Sequence, residues 1–397
     1  VVPSNARPRL LFLDGLRGLA ALYVVLHHAY FSVAWNGGGV SPWLLHLTQW
    51  MAHGTFAVDL FIVLSGFCLM LPLLGAPDRQ LAGGILGFVR RRARRILPPY
   101  YAAIALCLLT IYLVPPLQHR SGDLWDHSLP AFTPAVLLSH LLLVHNFSIH
   151  WIWRIDSPAW SIATEWQIYF VFALVLVPTW RRFGIVTAVA LAFVIGNVVE
   201  AMMPASNEAC FYFTGLFGLG MGAAALYHSP NKARWVPWNA AAAGMAAVIG
   251  LAMFVFPTWT HRPKIEVDLA VGFTSAVALV ALARSTLSAR RLPIIVLLES
   301  RPAVTLGRFS YSLYLIHFPL LAWSHLWLRR FNFPPDIDLA CMLLISVPLA
   351  VAASYGFYLL FEWPFQRTSQ FSGRLNGVTK AGLGEIGRVS PMLATAR

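Results

Sequence analysis

The chain has 397 residues, of which 58% are hydrophobic and only 11% charged, and its mean hydropathy is +0.65. Soluble domains carry about 25% charged residues, so an ordinary globular protein is excluded; nearly charge-free runs of about 18 residues or more, enough to cross a hydrocarbon core of about 30 Å, imply a polytopic all-α membrane protein. The net charge of +13 does not call for nucleic acid, because the arginines cluster in short segments between apolar runs, where topology and anionic lipid account for them.

In chain order the pattern predicts about ten spanning helices, near 15–33, 54–74, 99–117, 159–178, 184–203, 210–227, 238–256, 267–283, 309–328 and 339–361. Ahead of the first, Arg7 and Arg9 lead into Leu10, Leu11 and Phe12, but Asp14 and Arg17 interrupt the apolar run and no small-residue cleavage site follows. A retained helix is therefore expected rather than a signal peptide. A further segment near 132–147 has too short an apolar core for an easy span and reads as re-entrant or interfacial.

Charge bookkeeping orients this arrangement. With ten spans and the N-terminus inside, 22 Lys and Arg fall on the cytoplasmic side and 6 on the other, with Arg17 inside the first helix. That is the positive-inside asymmetry, and counting the short segment as a span would weaken it by moving Arg181 and Arg182 outside. Both termini are expected in the cytoplasm, in a bacterial inner membrane. Residues 1–365 form the membrane domain, and 366–397, rich in Gly, Ser and Arg, are expected to be a disordered cytoplasmic tail.

Cys68, Cys107, Cys210 and Cys341 lie singly in apolar runs and read as packing residues. No metal is expected: His27 and His28 are adjacent and point to different sides of a helix, with no carboxylate four residues away. Gly215, Gly218, Gly220 and Gly222 permit close helix packing.

Ionisable residues inside a membrane cost about 2.5–3.5 kcal/mol each on insertion scales and tend to mark functional cavities. On the first helix Arg17 and His28 are eleven residues apart; eleven steps of 100° return to within about 20° of the start while climbing about 16 Å, so they share a face at two depths. Asp59 on the second helix and Glu165 on the fourth are expected in the same outer layer as His28, where a carboxylate would fix the imidazole tautomer and raise its basicity. A structural His–carboxylate link between helices is the plain alternative. The run from Arg90 to Arg95 holds five arginines in six positions. Arg92 and Arg95 would share one side of a helical turn ending before Pro98 and suit forked contacts to phosphate, unless the run is only a clamp on lipid headgroups. Ser310, Tyr314 and His317 form a polar stripe at three- and four-residue spacing, the mark of a cavity wall or a helix contact.

Taken together these blocks resemble the integral-membrane acyltransferase-3 family, the O-acyltransferases of sugars, polysaccharides and natural products. The resemblance rests on Asp14 to Gly18 with His28 (an Arg-x10-His pattern), Asp59 to Phe67, Arg92-x-x-Arg95 with Pro98 and Tyr100, Trp160 to Glu165 with Tyr169, Gly307 to His317, and Phe361 to Pro364, in order over residues 12–365. It implies His28 as the catalytic histidine with Arg17 in the same motif, Arg92 and Arg95 handling acyl-CoA, and Glu165 positioning the base or acceptor. Tyr314 and His317 join the donor-binding set in this reading, and Asp59, Trp160 and Ser310 the acceptor-binding set. The expected function is transfer of an acyl group, acetyl first among them, from cytoplasmic acyl-CoA to a hydroxyl of a sugar, polysaccharide precursor or natural product, with membrane lipid around the enzyme and no metal. No esterase-like domain is expected after the last span. Two other classes fit parts of the pattern. A secondary transporter would use His28, Asp59 and Glu165 as a pathway but leaves the arginine run unexplained, and a binding-only subunit of a polysaccharide assembly would not need His28.

Overall fold

The computed structural model describes residues 10–34, 38–120, 122–202, 210–256, 265–287 and 291–366, and every regular element among them is helical. Arg7, Arg9 and the expected tail from 367 onward lie outside the described residues. The helices are α1 Phe12–Ala34, α2 Pro42–Thr48, α3 Thr55–Gly75, α4 Gly84–Leu113, α5 Pro134–Leu141, α6 Trp160–Val171, α7 Val177–Phe183, α8 Ile185–Met202 and α9 Phe213–His228. There follow α10 Trp238–Val255, α11 Ile265–Ser285, α12 Pro293–Leu298, α13 Arg301–Arg308, α14 Ser310–Leu328, α15 Pro335–Cys341 and α16 Val347–Phe357.

Each expected span has a helical counterpart, the fourth made jointly by α6 and α7 and the last by α15 and α16. Seven segments are both long and apolar enough to cross a membrane: 42–75, 84–113, 157–183, 185–202, 238–255, 265–285 and 335–366. Of the other three, α9 has only 16 residues. The remaining two, α1 and α14, have the length, but Asp14, Arg17, His27 and His28 on one and Ser310, Ser312, Tyr314 and His317 on the other dilute their apolarity. The two helices least like membrane spans are thus the two that carry the polar stripes. The eight-residue α5 rises only about 12 Å and cannot cross.

The arginine run departs from expectation. Instead of ending before Pro98, its helix continues through Pro98 and Pro99 to Leu113, so the run and the following span form one rod. Elsewhere proline leaves a different trace. The π-helical turns at 172–176, 342–346 and 358–362 each end two residues before a proline, Pro178, Pro348 and Pro364. Proline lacks the N–H for the i−4 bond and its ring collides with that carbonyl, and a wider turn relieves both.

Two glycine-mediated crossings lock the bundle. A Cβ on Gly66 would sit 2.1 Å from the Phe217 carbonyl oxygen, and one on Gly220 would sit 2.0 Å from that of Val63, so α3 and α9 touch backbone to backbone around the buried rings of Phe67 and Phe217. A Cβ on Gly307 would meet the Asp14 oxygen at 1.8 Å, and one on Gly15 would meet that of Leu298 at 1.9 Å. This seats the first turns of α1 against α12 and α13 and holds Arg17 at a fixed place. Gly215 and Gly218 pack on Phe193 and Ala192 of α8, so this glycine series serves contacts within the chain.

Between α4 and α6, residues 114–120 and 122–156, with the short α5, connect the spanning segments and hold a buried polar cluster that sequence patterning did not reveal. The rings of His140 and His145 stack at 4.0 Å and 7°, Tyr100 donates to the His140 carbonyl at 3.0 Å, and Asp156 is buried. Burial lowers His140 to about 4, while burial and then the charge of His140 hold His145 well below the usual range. Burial lifts Asp156 well above the carboxylate range. An imidazole lowered in the fold gives stability that is complete above about pH 6.5 and lost as pH falls through its folded value, about 4 for His140; Asp156 works in the opposite sense, losing stability as pH rises above about 3.8. The two imidazoles should prevail over one carboxyl, so thermal stability in detergent should drop between about pH 6.5 and pH 4. His140→Phe with His145→Phe, which keeps the stack, should remove about 3 kcal/mol or more of that drop. A double variant with the wild-type acid sensitivity would refute this assignment.

Candidate active site

A cavity of about 110 Å³ opens between α1, α3, α4, α6 and α14. Arg17, Arg92 and Arg95 line it, with Glu165, Tyr169 and Tyr314. Ser65, Ser161 and Ser310 add hydroxyls, and Val58, Phe61, Ile62 and Ile162 an apolar wall. The helical turn from Arg92 to Arg95 turns both guanidinium groups to the same side, and the continuous α4 rod fixes them relative to the span.

The charge is unbalanced. Arg17 has Asp14 at 3.5 Å and donates to Cys68 Sγ at 3.0 Å. Among the described residues no carboxylate oxygen comes within 4.0 Å of Arg92 or Arg95; Arg92 instead lies over the rings of Phe88 and Tyr169 at 5.9 and 6.0 Å. Glu165 accepts from Tyr169 Oη at 2.5 Å, and that hydroxyl is also 3.2 Å from Ser65 Oγ. With Arg17 paired to Asp14, the cavity wall still sets Arg92 and Arg95 against the single carboxylate of Glu165 beside apolar residues, an arrangement that favours an anionic ligand.

At the far side of Tyr314 the rings continue as a row. Tyr314 lies 5.9 Å from His317, and His317 lies 4.9 Å from His28. His317 Nδ1 is 2.8 Å from the Tyr314 carbonyl and 3.1 Å from that of Leu313. Carbonyls only accept, so Nδ1 carries the hydrogen and Nε2 of the neutral ring presents its lone pair. That Nε2 is 3.1 Å from His28 Nδ1, which also faces the Val24 carbonyl at 2.9 Å. His28 must then be protonated at Nδ1 as well, which leaves its Nε2 as the basic nitrogen. An imidazolium formed there would keep both acceptors for its Nδ1–H.

The expected carboxylate partner of His28 is therefore replaced by a second histidine. Glu165 is engaged by Tyr169, on the arginine side of the histidine pair. Both oxygens of Asp59 are buried without a hydrogen-bond partner, and Asp59 sits in the electrostatic field of Asp268, which accepts from Tyr212 Oη. Trp160 packs between Trp153 and Phe213 and does not line the cavity. Equal helical depth placed Asp59 and Glu165 beside His28, but depth says nothing about which way a helix faces. Glu362 falls in the Phe361 to Pro364 block but is given no role by the sequence; it lies in a π-turn, accepts from Ser312 Oγ at 2.5 Å and from the Ser312 N–H at 3.2 Å, and acts electrostatically on Arg95. Its signal is the Pro364 two residues on. Among the described residues no group of His, Cys, Asp and Glu has the arrangement of a metal site.

An arginine-lined cavity with a histidine pair next to its Tyr314 wall sits inside a helical bundle of membrane-spanning character. The chain belongs to the acyltransferase-3 family: that family's acyltransferase domain matches residues 10–359, so the protein is a membrane acyltransferase of the O-acyltransferase kind. Among curated proteins it is similar to acyltransferase MdmB of Streptomyces mycarofaciens, at 27% identity over 341 residues, 80% of each chain. It is also similar to peptidoglycan O-acetyltransferase OatA of Listeria monocytogenes, at 23% identity over 78% of this chain and 49% of that protein. O-acetyltransferase OatA of Staphylococcus aureus is 22% identical over 89% of this chain and 57% of its own. The chain thus spans about half the length of the two OatA proteins. No solved structure matches.

Proposed function

We propose that this protein moves an acyl group, acetyl in the first instance, from cytoplasmic acyl-CoA to a hydroxyl of a sugar, polysaccharide precursor or natural product. The observation that carries the reading is the juxtaposition of an arginine-lined cavity and a neutral histidine pair whose tautomers leave His28 Nε2 basic. A cavity of about 110 Å³ is far too small for a whole coenzyme A. The nucleotide phosphates therefore rest at Arg92 and Arg95, Arg95 being exposed at the mouth, while the pantetheine arm carries the thioester past Arg17 toward Tyr314. His28 Nε2 takes the proton as the acceptor oxygen attacks the thioester carbonyl. Collapse of the tetrahedral adduct breaks the carbon–sulfur bond, and His28 returns the proton to the thiolate, giving ester and free coenzyme A. His317 positions His28 and steadies its charged form. The arginine side is the cytoplasmic face in this scheme, as the positive-inside count requires.

The test is a transfer assay with purified protein in nanodiscs, labelled acetyl-CoA and a pool of sugar acceptors. Labelled ester should appear together with equimolar free thiol. Protein that neither binds acetyl-CoA nor releases thiol from it would sink the reading.

A further inference from the structure

Helix α14 carries Ser310, Tyr311 and Tyr314 on the wall of the arginine cavity and His317 beyond it, yet its own sequence supplies no cap for its first turn. Phe309, the residue before it, has no side-chain acceptor to offer, and its carbonyl takes the Leu313 N–H at 2.9 Å. The Ser312 N–H comes one residue earlier, among the donors that a helix start leaves without an intrahelical partner. Glu362 provides the acceptor from the last span. Its Oε2 takes the Ser312 N–H at 3.2 Å and the Ser312 hydroxyl at 2.5 Å, while its Oε1 takes the Gln366 amide at 2.7 Å. A carboxylate placed there also meets the positive end of the helix macrodipole.

The chain turns this one side chain inward and leaves its neighbours outside. Phe361 is 41% and Trp363 40% exposed, whereas Glu362 is 2% exposed, at the end of the π-turn 358–362. The same turn of α14 is tied from the other side, where Tyr311 Oη donates at 3.0 Å to the carbonyl of Ile96, the residue after Arg95 on α4. Glu362 and Arg95 also act on each other electrostatically. One buried carboxylate therefore reaches both halves of the site. Through Ser312 it holds the helix that bears Tyr314 and His317, and through its charge it acts on the arginine at the mouth. His317 is five residues, or about 7.5 Å, further along the same rigid helix. A slip of the first turn would accordingly disturb the 3.1 Å contact between His317 Nε2 and His28 Nδ1.

Resting on the acyl-transfer reading, we propose that Glu362 is a positioning residue of the reaction: it caps α14 in the register that sets His317 on His28, and its negative charge tempers the hold of Arg95 on the donor phosphates. Glu362 does not line the cavity, so it acts through Ser312 and Arg95 and exchanges no proton with substrate.

The two actions have different kinetic signatures. Glu362→Gln keeps the size of the side chain and an oxygen for Ser312 but removes the charge. It should lower kcat about tenfold, the difference between a charged and a neutral acceptor, and lower the KM for acetyl-CoA about twofold to fivefold. Ser312→Ala leaves the charge in place and should lower kcat about fivefold with donor KM unchanged. The two changes combined should be no slower than the slower single variant, because they break one contact. Rates are measured in nanodiscs with labelled acetyl-CoA and the pool of sugar acceptors, and expressed per acetyl-CoA-binding site so that unfolded protein does not count. Wild-type kcat per site in both single variants, with only the number of sites reduced, would make Glu362 a folding cap alone and overturn the proposal. A raised donor KM in Glu362→Gln would overturn it as well. If Glu362→Gln yields no folded protein, Ser312→Ala decides by the same kcat readout. Wild type that neither binds acetyl-CoA nor releases thiol from it removes the acyl-transfer reading itself, whereas active wild type with unaltered variants removes only the role of Glu362.

Discussion

His28→Ala should lower the rate of acyl transfer by roughly 10²–10⁴-fold, the usual worth of a positioned general base, while leaving acetyl-CoA binding close to wild type. The separation follows from the geometry, because His28 is not among the residues lining the arginine cavity and so contributes little to holding the donor. His317 supplies the finer control. His317→Phe keeps a ring in its place but removes the acceptor 3.1 Å from His28 Nδ1. It should lower kcat by about tenfold, the cost of one hydrogen bond to a charged group, with donor KM unchanged. Its pH–rate profile should also shift, because the charged form of His28 loses one of its two acceptors; a purely structural role for His317 would lower the amount of folded protein without moving the profile. A double variant no slower than His28→Ala alone would show that the two rings act as one unit. Normal transfer by His28→Ala would remove the base from the mechanism and leave the arginine chamber as a binding site only.

How much of this was legible in the sequence depends on which physical rule set each position. Fold class follows from hydrophobicity alone: a helix appears at each apolar run, and seven segments among the described residues are long and apolar enough to cross a membrane. Arg17 with His28, Arg92 with Arg95, and Ser310 with Tyr314 and His317 are pairings within single helices, fixed by the 100° step; Arg17, Arg92, Arg95, Ser310 and Tyr314 line the cavity, and His28 and His317 face each other. What failed was reasoning between helices. Span arithmetic expects Asp59 and Glu165 at the depth of His28, but Glu165 lines the cavity with Arg17, and the backbone crossing of α3 with α9 at Gly66 and Gly220 sets the rotation that carries Asp59 toward Asp268. Proline punctuation also misled in one place and stayed unread in others. Pro98 and Pro99 are absorbed into α4, whereas Pro178, Pro348 and Pro364 follow π-turns, the last of which turns Glu362 into the core.

The second large effect should come from the arginine pair. Each charge-assisted hydrogen bond to a phosphate is worth about 1.5–3 kcal/mol, or roughly 10–100-fold in affinity. Arg92→Ala with Arg95→Ala should therefore raise the KM for acetyl-CoA by about 10²-fold or more, with kcat at saturating donor changed far less. Lysine replacements discriminate between the two uses of an arginine run. Topology and lipid headgroups respond to charge, which lysine keeps, so Arg92→Lys with Arg95→Lys should insert and orient as wild type does. Phosphate recognition here uses the planar fork, which lysine lacks, so the same variant should recover only part of the lost donor affinity. Arg92 adds a further reason for asymmetry, since its guanidinium also lies over Phe88 and Tyr169 and holds the wall that presents Glu165. Arg92→Lys should accordingly cost more than Arg95→Lys, the latter side chain being exposed at the mouth. If the alanine pair left donor KM unmoved and altered only membrane orientation, the run would be a topological clamp, and coenzyme A would have to be held elsewhere.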